Sequence, residues 1–198
     1  GFKRNKDYLY KSLAIDLNGV GFLGFRKTAP TNWYLDSDTN KTWSVTETNP
    51  QLRGAHSSTF SFILNKRFEF NYIPNVLISK TFYNYNTSVV GILPYYALLK
   101  KETSIDYLSN ISTEKEYISY SSDYFLPQLV TNKKYLGTTL NASSLQGKTS
   151  ITYNYEDPTD NATLYIIGKP KEIHTVSELF VNTTNGYNVK FSNEKLFY

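Results

Sequence analysis

Tyr85, Tyr120 and Tyr155 recur at intervals of 35 residues, and each closes an aromatic extended segment. The segments are Phe82-Tyr83-Asn84-Tyr85, Tyr117-Ile118-Ser119-Tyr120 and Thr152-Tyr153-Asn154-Tyr155. A polar turn follows each, then a corner ending in Pro: Gly91-Ile92-Leu93-Pro94, Tyr124-Phe125-Leu126-Pro127 and Ile166-Ile167-Gly168-Lys169-Pro170. A long polar-alternating segment comes after each corner. The unit is therefore strand, turn, corner, long strand, at a period in the range of stacked supersecondary arrays. Such a unit has no means of burying its apolar face alone and needs neighbours on both sides. Pro suits the start of a strand, because it has no N–H to give to a ladder.

Period-two alternation marks further strands at Thr42–Thr46, Thr59–Leu64, Arg67–Tyr72, Ser150–Tyr155 and Tyr187–Phe191. Asn65-Lys66 reads as the hairpin turn joining Thr59–Leu64 to Arg67–Tyr72. Tyr95–Asn110 admits a helix after Pro94, but the alternation of Thr103–Leu108 favours a long strand; Ser177–Val181 stays open between the two. Aromatic residues make up 16% of the chain, with 18 Tyr and 12 Phe. Tyr favours strands and carries a polar end, so it suits a sheet with a wet face. At 40% hydrophobic and 19% charged, the chain has enough apolar surface for a core and too little charge for disorder.

With no Cys there are no disulfides or thiolate metal sites. No run of about 18 apolar residues marks a transmembrane helix. The net charge is +4, and the Lys and Arg are dispersed: Lys3, Arg4 and Lys6, then doublets at Arg26-Lys27, Lys66-Arg67, Lys100-Lys101 and Lys133-Lys134. A nucleic-acid surface needs a clustered stripe, so these doublets read as solvated strand ends. The absence of Met, and a last segment that reads as an unfinished strand, make a stretch of a longer polypeptide the expectation.

Asp16-x-Asn18-Gly19-x-Gly21 opens like a calcium loop, but Val20 and Lys27 stand where further ligands belong. A tight turn using glycine is the better account. His56 and His174 lie in different segments with no acidic cluster, whereas zinc wants three or four ligands. No Gly-x-Ser-x-Gly nucleophile elbow is present. Glu47, Glu69, Glu156 and Asp157 read as the wet face of strands rather than as a glycosidase pair. Six Asn-x-Ser/Thr sequons, the first at Asn40, read as chance in an Asn-rich chain. The sequence therefore assigns no catalytic, cofactor or metal residue, and the expectation is that the chain is not an enzyme.

Two segments resemble Rhs/YD-repeat proteins, including the B/C shell of insecticidal toxin complexes. The first is Ile15–Lys27, with Asp16, Asn18, Gly19, Gly21, Phe22, Gly24 and Phe25; it is similar to the Gly- and Phe-rich segment before the repeats, followed here by a Thr-rich strand at Thr42–Thr48. The second contains Tyr153 and Tyr155, then Gly168 and Pro170; it resembles a Tyr-x-Tyr-Asp repeat end and an apolar–Gly–x–Pro strand entry, with Glu156 in place of the usual Asp. The resemblance implies an all-β fold: long antiparallel strands spiralling into a hollow shell, with residues 1–72 preceding degenerate repeats over 73–198. The autoproteolytic Asp-Pro-x-Gly-Leu segment of such shells has no counterpart here, because Thr159-Asp160-Asn161 follows Asp157-Pro158.

The function implied is a non-catalytic wall of a secreted or bacterial cell-surface shell that carries a C-terminal effector or toxin domain. Its partners would be the rest of the shell and its cargo, with secretion machinery or surface proteins as further candidates. No nucleic acid, cofactor or membrane span is expected. The alternative is an adhesin or carbohydrate-binding β-domain, stacking sugars on Trp33, Tyr34 and Trp43. An outer-membrane barrel ranks last, since polar residues fall on both faces of many strands.

Overall fold

The computed structural model describes residues 3–17, 21–64, 68–74, 76–86, 97–122, 124–155, 168–183 and 186–197. The chain is all-β. Its strands are β1 (Tyr8–Asp16), β2 (Gly21–Pro30), β3 (Lys41–Asn49), β4 (Ala55–Leu64), β5 (Leu77–Asn86) and β6 (Leu98–Asp106). They continue as β7 (Ile111–Tyr120), β8 (Pro127–Leu136), β9 (Leu145–Tyr155), β10 (Pro170–Thr183) and β11 (Gly186–Phe197). The eleven strands form one sheet whose order follows the sequence from β1 to β11, with antiparallel pairing in every register resolved. Two compact units divide it: Gly1–Leu99 with Ser104–Ser109, and Lys100–Thr103 with Asn110–Tyr198.

The first unit holds the hydrophobic cluster of Ala29, Trp43, Val45, Phe62 and Phe68. Alternation produces it. Trp43 stands opposite Phe62, and Phe62 opposite Leu77, so one row of one face is apolar across three strands. The other face is hydroxylated: Ser44 pairs with Ser61, and the hydroxyls of Ser61 and Ser79 lie 2.7 Å apart.

One expected strand is absent. Residues 68–72 are loop and turn, and β4 takes β5 as its partner, so the expected hairpin between Thr59–Leu64 and Arg67–Tyr72 does not form; Asn65, Lys66 and Arg67 lie outside the described residues. The aromatic side chains of this loop fold back over the sheet instead. Phe68 is 2% exposed and its ring lies 5.5 Å from Trp43 and 5.1 Å from Phe62. Phe70 and Tyr72 pack on Phe68 in turn. Burying a ring of this kind contributes about 1.5–3 kcal/mol. Among the described residues the Nε1 of buried Trp43 has no hydrogen-bond partner. That omission costs about 1–3 kcal/mol and is offset by the area its indole removes from water.

In the second unit the 35-residue period resolves into strand pairs. Tyr120 ends β7 and Tyr155 ends β9, while Pro127 begins β8 and Pro170 begins β10. In the first unit Tyr85 falls one residue before the end of β5. Thr103–Asp106 is strand, as the alternation implied, but β6 ends there and residues 107–110, expected to continue it, form a turn; Ser177–Val181 is strand too. The Asp106 carboxylate accepts the amides of Leu108 and Ser109 to turn the chain into β7.

Candidate functional site

A row of charged side chains crosses the second unit. Glu114 on β7 faces Lys133 on β8, Lys133 faces Lys148 on β9, and Lys148 faces Glu178 on β10. Residues opposite one another in register share a face, so these four stand in one line. Lys101 on β6 joins the line through Glu114 at 2.5 Å, and Lys133 holds the other oxygen of the same carboxylate at 2.9 Å. Lys133 also reaches Glu116 at 3.5 Å, and Lys148 pairs with Glu178 at 3.0 Å. Lys133 and Lys148 are like charges in direct opposition, an unfavourable arrangement alone. Each is drawn away by its own glutamate, one towards β7 and the other towards β10.

The Glu114 side chain is 8% exposed, and the lysines are a quarter to a third exposed. Burial pushes the Glu114 carboxyl up, but hydrogen bonds from Lys101 and Lys133 outweigh it and hold the group below its ordinary 4.5. Lys133 is held above its ordinary 10.5, first by its hydrogen bond to Glu114. The signs fix a pH window. Glu114's contribution is fully present above 4.5 and is lost as pH falls through its depressed folded value. Lys133's contribution is fully present below 10.5 and is lost as pH rises through its raised folded value. Urea midpoints followed from pH 3 to pH 11 should therefore form a plateau falling at both ends. Glu114→Gln should flatten the acid limb, and an acid limb of unchanged steepness would remove Glu114 as its source.

These lysines correct the expectation that the basic doublets are solvated strand ends. Lys27, Lys101 and Lys133 lie within strands and bind Glu47, Glu114 and Glu114 respectively. Their doublet neighbours Arg26, Lys100 and Lys134 are exposed. Adjacent strand residues point to opposite faces, so each doublet supplies one paired and one solvated cation. The fourth doublet, Lys66-Arg67, lies outside the described residues.

The opposite face of the same strands carries Lys115, Asn132, Thr149 and Ser177 in register, beside Lys134 and the side-chain-free Gly147. A trough of about 650 Å³ opens there. Both faces of this part of the sheet thus carry a row of polar side chains. Tyr rings mark its end: Tyr153 stacks on Tyr155 at 6.2 Å and Tyr117 on Tyr120 at 6.0 Å. The first pair is two residues apart. The second is three apart and still stacks, because the register shifts on both sides of Ser119. Burial and the neighbouring Tyr117 push the Tyr120 phenol up to about 12.

The residues expected from the motifs fall into both units. In the second, the Tyr155 hydroxyl donates to the Pro127 carbonyl at 2.6 Å, and Pro170 pairs with Tyr155. Gly168 has φ +85°, a conformation side chains disfavour, and an added Cβ would lie 3.6 Å from the Leu126 methyls. The two corners and the repeat-end tyrosine thus meet. In the first unit, Tyr85 repeats the gesture by donating to the His56 carbonyl at 2.8 Å. Asp16 pairs with Gly21 at the tip of the β1–β2 hairpin, where Gly21 and Gly24 have φ +77° and +98°. Asn18 and Gly19 lie outside the described residues. Phe22 meets Phe25 edge-on at 6.1 Å, and Phe25 packs on Tyr10 at 4.8 Å.

The aromatics proposed for sugar stacking are not available as a set. Trp43 is 1% exposed. Tyr34 donates to Asp7 at 2.9 Å and lies under the Lys41 ammonium at 3.9 Å. Trp33 is open, with Lys6 over its ring at 5.8 Å. Among the described residues no group of three or more His, Asp or Glu is placed to hold a metal, and no helix is long and apolar enough to cross a membrane. His56 packs edge-on to Tyr83, and His174 hydrogen-bonds Asn193 at 2.6 Å.

The fold so defined is an open antiparallel β-meander of sequential strands. The chain superposes on the crystal structure of TcdB2-TccC3 without its hypervariable C-terminal region with a TM-score of 0.62 and 11% identity, over 88% of this chain and 12% of that one. It superposes on TcdB2-TccC3-TEV with a TM-score of 0.59 and 10% identity, again over 88% and 12%. No family model and no curated protein matches the sequence. The likeness establishes the fold.

Proposed function

We propose that this chain is a wall segment of a secreted or bacterial cell-surface shell of the Rhs/YD kind, built to enclose a C-terminal effector or toxin domain. It acts by containment and not by catalysis. Its partners are the adjoining coils of the same shell and the cargo within. The observation that carries this reading is the likeness to a toxin-complex chain over 88% of the residues, combined with a strand order that follows the sequence throughout. A meander of that kind extends one strand at a time, and its end strands have one unpaired side each. The polar rows of its second unit fit such a wall better than a sandwich layer, which needs one apolar face.

Cryo-electron microscopy of the complete natural polypeptide tests the reading. The expected map shows these strands as one stretch of a continuous wall around a cavity, with the C-terminal domain inside. A closed β-sandwich standing apart from an external C-terminal domain would overturn it.

A further inference from the structure

The first unit contains a chamber that the wall reading does not use. It is a cavity of about 280 Å³ between the sheet face and the returning loop, close to the lower end of the range for small-ligand sites, about 300 Å³. Its walls include Phe60, Phe70, Tyr72 and Leu77, and two ammonium groups, Lys27 and Lys80, border it. The two cations are not equivalent. Lys27 is committed to Glu47, whose second oxygen accepts the Ser58 hydroxyl at 3.0 Å. Lys80 lies over the Phe82 ring at 4.5 Å, and its charge also acts on the Glu47 carboxylate that Lys27 binds. Alternation puts Lys80 in the row of Val45 and Phe60, on the apolar face. Two ammonium groups against the single Glu47 carboxylate leave this aromatic-lined face one positive charge in excess.

We propose that this chamber binds an apolar carboxylate, an aromatic or branched aliphatic group entering between Phe60 and Phe70 with its acid group on Lys80. Charge complementarity decides the class. A neutral apolar ligand would leave the ammonium unsatisfied, and a small inorganic anion would leave the rings unfilled. A charge-assisted hydrogen bond formed in such partly dry surroundings is stronger than one in open water. The same chemistry occurs in a free acid and in the C-terminal residue of a peptide, and the test separates the two.

Calorimetric titration of the whole chain with 3-phenylpropionate, its amide, and Gly-Gly-Phe with free or amidated C-terminus supplies the arms. The acid should bind at least tenfold more tightly than its amide. Lys80→Met should remove that tenfold preference without changing amide binding, and Lys80→Arg should restore it. Tighter binding of the free-ended peptide than of phenylpropionate assigns the site to a chain terminus, and the reverse order assigns it to a free acid. Equal affinity for acid and amide, an unchanged acid affinity in Lys80→Met, or no saturable binding of either acid would each overturn the proposal. Circular dichroism of Lys80→Met should match the parent, since a half-exposed lysine is exchanged for a side chain of similar length.

Discussion

Replacing Lys101 and Lys133 together by Met should destabilise the chain by about 3–5 kcal/mol. The methionines preserve most of the apolar stem volume and remove both cations from Glu114, whose side chain is 8% exposed. A carboxylate in that position has lost its water and then its partners. It either remains charged and unpaired or takes up a proton, and both weaken the fold. Adding Glu114→Leu to the pair should recover most of the loss, because a buried ionic group replaced wholly by apolar residues is often close to neutral. Urea unfolding of the parent, the double and the triple variant measures both steps. A double variant within about 1 kcal/mol of the parent would mean that the line of charges behaves as an exposed ion pair.

Phe68→Ala should cost about 3–5 kcal/mol, the range for truncating a fully buried ring, whereas Phe68→Leu should cost less than about 1.5 kcal/mol. The expectation is large because Phe68 touches Trp43, Phe62, Phe70 and Tyr72 together. Removing it opens the cluster from above. The chain has two Trp, of which Trp33 is already 61% exposed. A red shift of emission in Phe68→Ala would therefore report water reaching Trp43. If Phe68→Ala unfolds at the parent's urea concentration, the loop is a surface feature and the cluster is held by β3 and β4 alone.

Much of the sheet was legible before the structure. Tyr85, Tyr120 and Tyr155 announced strand ends because a tyrosine that closes a strand can send its hydroxyl to the neighbouring backbone, as Tyr155 and Tyr85 do. Pro127 and Pro170 announced strand starts for the lack of an N–H. Phe68-Glu69-Phe70-Asn71-Tyr72 misled because its alternation is that of a half-buried strand. Alternation records that every second ring is buried, not whether the backbone beside it is paired. The line from Lys101 to Glu178 was hidden for another reason. Glu114 and Lys133 are 19 residues apart, and only the β7–β8 register makes them neighbours. A local window sees two lysines in a row and reads solvent. The chamber beside Lys80 depends on a loop whose path no local propensity specifies.

Each 35-residue unit of the second half contains an out-going strand and a returning one, and this restricts how such a chain can change length. Excising a whole unit leaves every later strand running against its new neighbour. Excising half of one would bring two strands side by side in the same direction, where a turn of a few residues does not suffice and a crossover of a dozen or more is required. Insertions and losses along a wall of this design should accordingly come in even numbers of strands.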